Sequence, residues 1–141
     1  MTTLTRRYRF SASHRLDAPA LSLEENQRLF GKCNNPFGHG HNYVLEVTVA
    51  GEPDAVSGLI LPVSRLDELV TDKILRLFSN RYINVDVSQF ARLVPTTENV
   101  TRVVADLLGQ NWHEHMGDSA ARLERVSIEE TGRNSCEICL N

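Results

Sequence analysis

Two kinds of hydrophobic spacing occur along this chain, and their order limits the folds that it can adopt. Apolar residues recur at every second position in four segments, which are residues 4–14, 39–51, 123–131 and 135–140. Such spacing is typical of β-strands with one buried face. Residues 63–78 and the segment after residue 96 instead place apolar side chains three or four positions apart, as helices do. The order ββααββ predicts an α+β fold, an antiparallel four-stranded sheet with two helices on one face.

The ends of the predicted helices carry their own signals. Ser64, with Asp67 three residues later, resembles a capping box at the start of the first long helix. Thr96 is expected to cap the second long helix, with Glu98 in its positively polarised first turn. Residues 21–30 have the spacing of a further short helix.

Composition narrows the class of protein. The chain has 141 residues, a net charge of −3 and three cysteines, and 41% of its residues are hydrophobic. These values are ordinary for a globular protein, so we expect residues 1–141 to form a single domain. No basic stretch suits a phosphate backbone, no segment approaches the roughly 20 apolar residues of a membrane helix, and the first residues lack an apolar leader. We expect a soluble, cytoplasmic protein with no nucleic-acid or membrane partner and no disulfide framework.

The predicted sheet is incomplete by itself. Four strands leave two edges with unpaired backbone groups, and helices on one side leave the other face uncovered. A closed ring of identical subunits would pair the edges and bury that face. We therefore expect a symmetric homo-oligomer with sites between its subunits.

Three histidines fall on the buried phase of the first two predicted strands. His14 ends the apolar stripe of the first strand, and His39 and His41 begin that of the second. Residues two apart on a strand lie on one face, and antiparallel pairing brings His14 alongside the other two. Three neutral imidazoles typically bind Zn²⁺ and leave its fourth position open for water or substrate. The alternative is that each is a core histidine whose nitrogens are satisfied by protein groups.

Cys33 lies in a turn six residues before His39. A dication and loop amides nearby would favour its thiolate, which makes it a candidate base or nucleophile. The alternative is a half-buried loop thiol without a chemical role. Cys136 and Cys139 are three apart on a strand and should point to opposite faces, so they are interpreted as ordinary strand residues.

Glu130 occupies a position where the stripe of its strand predicts an apolar residue. A carboxylate that faces the core needs a partner, because burying an unpaired charge is costly. A ligand with a guanidine-like edge could donate two hydrogen bonds to it. An internal arginine partner and exposure at the end of the strand are the alternatives.

Several motifs together resemble one family. The segments FSASHRL, LSLEENQRLFGKCNNPFGHGHNY, VPTTENV and ETGRN occur in this order and closely resemble the 6-pyruvoyl-tetrahydropterin synthases, nearly from end to end. The resemblance implies the tunnelling fold (T-fold), in which three subunits form a twelve-stranded barrel and two such rings stack as a hexamer. It also implies zinc held by His14, His39 and His41.

The same resemblance implies roles for individual residues. Cys33 would be the base that takes a proton from the substrate side chain, and Glu130 would anchor the pterin ring, so these two are the expected catalytic residues. The segment Thr96, Thr97, Glu98 of a neighbouring subunit would line the pocket. The usual substrate of the family is 7,8-dihydroneopterin triphosphate, which loses triphosphate without a redox change. The chain would accordingly be a zinc-dependent carbon–oxygen lyase, with Lys32 and Arg15 as candidate phosphate contacts.

One departure from the family bears on activity. Family members normally carry Asp-His in the connection before the second helix, where this chain has Ser79 and Asn80. Neither side chain titrates near neutral pH, and losing a positioned acid–base group typically costs about 10² to 10⁴-fold in rate. The alternatives are an aldolase acting on a dihydropterin side chain, an enzyme of the 6-carboxy-tetrahydropterin synthase type, and a non-catalytic pterin-binding homologue. The longer cysteine-to-histidine spacing in this chain disfavours the second of these.

Overall fold

A five-stranded sheet forms the centre of the computed structural model, which describes residues 1–140. The strands are β1 (Thr2–His14), β2 (His39–Gly51), β3 (Arg81–Tyr82), β4 (Arg122–Thr131) and β5 (Asn134–Cys139). Their spatial order is β3-β1-β2-β4-β5, and all neighbours pair antiparallel except β3, which pairs parallel with β1. The architecture is α+β, as predicted.

The helices bury one face of this sheet. In chain order the helices are α1 (Leu23–Phe30), α2 (Val63–Val70), α3 (Arg76–Phe78), α4 (Ile83–Asp86), α5 (Thr97–Gln110) and α6 (Trp112–Met116). A π-helical turn, Thr71–Leu75, joins α2 to α3, so residues 63–78 form one continuous helical segment. Both long helices and the short α1 were predicted. Among residues 1–140, none of the helices is both long enough and apolar enough to cross a membrane.

The register of β1 and β2 brings the three histidines together. In their antiparallel pairing, Ala12 lies opposite His41, and His14 lies opposite His39. Because side chains alternate between the faces of a sheet, the three imidazoles share the face that carries the helices. Tyr43 follows in the same phase and is fully buried, so the apolar core begins directly beside the cluster.

A bulge interrupts the pairing of β4 with β5 at Glu130. Glu129 pairs with Ser135 and Thr131 pairs with Asn134, so Glu130 is an extra residue on β4. β-Bulges redirect side chains and are frequent beside active sites. The bulge therefore decides where the Glu130 carboxylate lies.

The sheet differs from the prediction in having five strands rather than four. The additional strand, β3, has only two residues, which pair with Ala12 and Ser13 of β1. A strand of this length has no detectable hydrophobic period, so the sequence predicts only a long connection there.

The two predicted helix caps had different outcomes. The prediction for Ser64 is wrong: α2 begins at Val63, Pro62 occupies the cap position, and no side chain caps the helix. Proline suits the start of a helix because its ring fixes φ near the helical value, here −65°. Thr96 is confirmed as the cap of α5, since its side chain accepts a hydrogen bond from the backbone N–H of Asn99.

The face of the sheet away from the helices is polar. Its side chains pair across neighbouring strands, Arg7 with Glu46, Ser11 with Asn42 and Arg125 with Glu137. The expectation that this face needs to be buried is therefore not supported, because charged pairs are stable in water. The unpaired edges are as expected: within residues 1–140, β5 has no strand on its outer side and β1 pairs outward only with the short β3.

Candidate active site and metal centre

Three imidazoles form a cluster on the helix-bearing face of the sheet. The Nε2 atoms of His14 and His39 lie 3.2 Å apart. One ligand atom from each of His14, His39 and His41 lies within 4.8 Å of the other two. The structure thus brings the three predicted metal ligands to one point, where they can hold a metal ion.

The backbone just before α5 orients His14. Its Nδ1 lies 2.7 Å from the carbonyl oxygen of Pro95, and because a carbonyl can only accept, the ring nitrogen donates. A proton on Nδ1 leaves a lone pair on Nε2, which is the atom that lies beside His39. Metal-binding histidines are commonly held through their second nitrogen in this way.

The cluster fits a divalent cation better than it fits a satisfied polar core. Nε2 of His41, on the side of Glu130, is buried without a hydrogen-bond partner, which is costly unless something binds it. Burial lowers the pKa of His14 and of His39, so both rings favour the neutral form that binds metals. Three neutral imidazoles around one point are the donor set of a Zn²⁺ site with an open position.

Glu130 lies against the histidine cluster. Its carboxylate oxygens are 3.7 Å from Nε2 of His41 and 3.8 Å from Nε2 of His14, and its side chain is 11% exposed. The Thr97 hydroxyl donates a hydrogen bond to Oε2 at 2.7 Å. No arginine pairs with this carboxylate in the part of the chain that the structure describes. Neither the internal arginine nor exposure at the strand end therefore accounts for its position.

Cys33 lies in a 3₁₀ turn, Gly31–Asn34, that follows α1. The backbone N–H of Leu16 donates to the Cys33 carbonyl at 2.8 Å, which ties the turn to the segment after β1. The buried Asn34 side chain donates to the Leu16 carbonyl at 2.7 Å, so the same segment is held twice. These hydrogen bonds fix the position of the turn that carries the thiol.

A cavity opens in front of Cys33 and the histidine cluster. Its volume is about 640 Å³, and Cys33, Lys32, His39 and His41 are among the residues that line it. That volume suits a small organic molecule. The thiol and the imidazoles can therefore contact the same ligand.

The protein environment does not activate the Cys33 thiol. Burial and the negative charge of Glu130 raise the pKa of Cys33. The sequence argument expects the opposite direction because it assumes a dication nearby. The positive charge of a cation bound by the histidines would act against both causes.

Ser79 and Asn80 do not line the cavity that contains Cys33. Asn80 has a left-handed backbone, φ 59°, and its N–H donates to the carbonyl of Ser11 on β1. It lines a second cleft, of about 550 Å³, with Arg81. In the described chain, neither Ser79 nor Asn80 is among the residues that line the Cys33 cavity.

Thr96 and Thr97 begin α5 beside the site. Thr96 caps the helix, whereas Thr97 is 3% exposed and contacts Glu130 of the same chain. The Asn134 side chain in turn donates to Thr97 Oγ1 at 3.1 Å. Sequence analysis missed Asn134 and Pro95 as contributors to the site. A backbone carbonyl such as that of Pro95 has no sequence signal, but the strand phase of Asn134 could have indicated it.

Comparisons with known proteins identify the family of the chain. A sequence model of the family described as 6-pyruvoyl tetrahydropterin synthase matches residues 3–139. The chain belongs to this family. It is 47% identical to human 6-pyruvoyl tetrahydrobiopterin synthase over 105 residues, which are 74% of this chain and 72% of the human one. It is 37% identical to a putative 6-pyruvoyl tetrahydrobiopterin synthase of Caenorhabditis elegans over 134 residues, 95% of this chain and 91% of that one.

Solved structures of the 6-pyruvoyl tetrahydropterin synthase family have the same fold. That of the Caenorhabditis elegans 6-pyruvoyl tetrahydropterin synthase matches with a TM-score of 0.89 at 36% identity, covering 99% of this chain and 96% of that chain. A Plasmodium falciparum 6-pyruvoyl tetrahydropterin synthase, 15% identical with a TM-score of 0.61, covers 97% of this chain and 96% of its own and shows the fold alone. The T-fold expected from the sequence resemblance is confirmed for the chain.

Proposed function

We propose that this chain is a zinc-dependent pterin lyase that acts on 7,8-dihydroneopterin triphosphate, or a related dihydropterin, with loss of triphosphate. The observation that carries the proposal is the meeting of a three-imidazole cluster with a single thiol, which lines one cavity together with His39 and His41. Relatives named 6-pyruvoyl tetrahydrobiopterin synthase support the substrate class. Loss of triphosphate is an elimination, which needs a positioned base but no redox cofactor.

The histidine cluster would supply the electrophile. His14, His39 and His41 would hold a divalent ion, which would supply Lewis-acid chemistry toward hydroxyl groups of the substrate side chain. The carbonyl of Pro95 keeps His14 in the tautomer that offers Nε2 to the cluster. The protein thus presents its donor atoms before any ion or substrate arrives.

Cys33 is the proposed base. It lines the same cavity as the histidines, so it can reach the side chain of a substrate bound there. The thiol must first lose its own proton, and burial together with Glu130 opposes this by raising the Cys33 pKa. Proton transfer by Cys33 therefore depends on the positive charge that the histidine site would hold.

Glu130 is the proposed anchor of the pterin ring. A carboxylate accepts two hydrogen bonds from a guanidine-like edge, as it does from arginine. One of its oxygens already accepts from Thr97, which restricts how the carboxylate can rotate. A ring held there would have its side chain directed towards the histidine cluster and the thiol.

The decisive experiment follows triphosphate release from 7,8-dihydroneopterin triphosphate. The zinc-loaded wild type should release triphosphate, and Cys33→Ala should lose most of this activity, by about 10² to 10⁴-fold. Cys139→Ala is the matched control, because Cys139 is an exposed thiol on β5. Absence of release by the wild type would contradict the proposal. A 6-hydroxymethyl product, identified by mass spectrometry, would instead indicate the aldolase reaction.

A second candidate function is pterin binding without turnover. Ser79 and Asn80 favour it, because family members normally carry an Asp-His pair there and neither replacement can move a proton near neutral pH. Tight pterin binding that survives Cys33→Ala, without any reaction of the wild type, would support this candidate. Turnover that depends on Cys33 would exclude it.

We also propose that the chain assembles as a hexamer of two stacked trimers. The free outer edges of β5 and of most of β1 can pair with each other between subunits, which closes the sheets into a barrel. The polar face of the sheet would then line the water-filled interior. Light scattering should give six times the chain mass, and a monomer at micromolar concentration would contradict the assembly.

A further inference from the structure

Glu130, Thr97 and Asn134 form a chain of two hydrogen bonds with a defined direction. A carboxylate only accepts, so the Thr97 hydroxyl must donate to Glu130 Oε2, 2.7 Å away. The hydroxyl has one hydrogen, so its oxygen can only accept from the Asn134 amide, 3.1 Å away. The amide on β5 therefore donates to the hydroxyl oxygen and does not compete with Glu130 for the threonine hydrogen.

The bulge in β4 makes this arrangement possible. In a continuous ladder, Asn134 would lie opposite Glu130, because Glu129 pairs with Ser135. The extra residue moves Asn134 opposite Thr131 instead. Asn134 also shares the strand phase of Cys136, whose partner on β4 is a buried residue of the core face. Its amide consequently reaches the start of α5 on the same side of the sheet as Glu130.

The position of the Glu130 carboxylate matters because it lies close to the place of a fourth metal ligand. Donor atoms about 2.0 to 2.1 Å from a tetrahedral zinc are roughly 3.3 Å from one another. The two carboxylate oxygens are 3.7 and 3.8 Å from nitrogens of His41 and His14. A small rotation of the side chain would let Glu130 complete the coordination and close the position that a substrate needs. The hydrogen bond from Thr97 opposes that rotation.

We propose that Thr97 is a positioning residue: its hydroxyl, which the Asn134 amide leaves free to donate, keeps the Glu130 carboxylate beside the histidine cluster but off the metal. The importance of an open coordination position on the metal rests on the proposed function. The geometry itself concerns only residues of this chain. The consequence for a metal is measurable without any substrate.

The test compares substitutions that alter the direction of the hydrogen bonds. Asn134→Asp keeps the side-chain shape but replaces the donor with an acceptor, so the threonine hydrogen turns away from Glu130. Asn134→Ala removes the amide yet leaves Thr97 free to donate to the carboxylate. Thr97→Val removes the hydrogen altogether, and Thr97→Ser retains it. Gln110→Glu, at the exposed end of α5, is the control for the added negative charge.

The readout is the binding of Co²⁺ alone to the full chain, by its dissociation constant and its visible absorption spectrum. Asn134→Asp and Thr97→Val should bind Co²⁺ roughly tenfold more tightly with an altered spectrum, because Glu130 joins the metal. Asn134→Ala, Thr97→Ser and the control should resemble the wild type. Adding Glu130→Gln to Asn134→Asp should abolish the gain.

Two results would overturn the inference. One is an effect of Asn134→Ala as large as that of Asn134→Asp, which is the pattern of a residue that only supports the fold. The other is a gain in affinity that persists with Glu130→Gln. These measurements stand even if the wild type fails to release triphosphate, which would contradict the proposed function alone. If the wild type does release triphosphate, the kcat of Asn134→Asp should be about 10 to 100-fold lower. The thermal stability of Asn134→Asp should stay near that of Asn134→Ala.

Discussion

The His14 ring is held by the carbonyl of Pro95, which accepts a hydrogen bond from Nδ1 at 2.7 Å. Pro95 directly precedes Thr96, the cap of α5, so the start of this helix and the orientation of one imidazole in the cluster depend on each other. His14 itself is fully buried. Its ring therefore cannot turn to another partner, and Nε2 remains directed at the other two histidines.

Removing one imidazole should remove most of the bound metal. His41→Ala leaves two histidine donors, which bind a divalent cation far more weakly than three. We expect the metal content of the purified protein, measured by elemental analysis, to fall well below that of the wild type. His113→Ala is the matched control, because His113 is exposed on α6 and lies outside the cluster. Equal metal content in the two variants would contradict the assignment of the cluster.

The metal-free protein should lose stability in mild acid. Burial lowers the pKa of His14 and His39 below the ordinary value of 6.5. Below that pH the unfolded chain binds protons that the folded chain does not, so the free energy of unfolding should fall as the pH drops from about 6.5 towards the lowered values. Urea unfolding at a series of pH values measures this. A free energy of unfolding of the wild type that does not change below pH 6.5 would contradict the prediction. So would a His39→Gln variant whose free energy of unfolding depends on pH as steeply as that of the wild type.

Asn80 should tolerate glycine better than alanine. Its φ of 59° lies in the left-handed region, which asparagine and glycine adopt readily and other residues adopt at a cost. Asn80→Ala should reduce the free energy of unfolding by about 1 kcal/mol, and Asn80→Gly should change it by less. Denaturant unfolding of the two variants checks the order, and a reversed order would be inconsistent with this backbone conformation.

Replacing Thr96, the confirmed cap of α5, should destabilise the protein more than replacing Ser64, which was wrongly predicted to cap α2. Thr96 accepts the backbone hydrogen bond at the start of α5, so Thr96→Ala should destabilise the protein by about 1 kcal/mol. Ser64 lies inside α2 and has no capping hydrogen bond, so Ser64→Ala should have almost no effect. Thermal unfolding of both variants provides the comparison. Equal losses would mean that Thr96 contributes nothing as a cap.

The strand phases explain why much of the site could be predicted. His14, His39 and His41 each fall in phase with buried neighbours, and antiparallel pairing of adjacent strands then leaves few ways to arrange them. Glu130 was identified because a carboxylate breaks an apolar stripe. The bulge at this residue could not be predicted, since a bulge depends on the pairing of two strands and not on the spacing within either.

Other parts of the site arise from contacts between distant segments. The carbonyl of Pro95 and the amide of Asn134 act on side chains 81 and 37 residues away in the chain. The carbonyl of Pro95 has no sequence signal, and the strand phase of Asn134 indicates its face of the sheet but not its partner. The raised pKa of Cys33 was likewise missed, because it depends on burial and on Glu130, which is brought close only by folding.

The amino-acid order alone determined that this is an α+β chain, that three imidazoles share one strand phase, and that a thiol precedes them by a short turn. Those features are local, since they follow from periods of two and of 3.6 residues. Tertiary structure alone decided which nitrogen of His14 faces the cluster, how near Glu130 comes to it, and that Ser79 and Asn80 are not among the residues that line the Cys33 cavity. Such distances depend on the packing of whole elements, which no spacing within a single segment can specify.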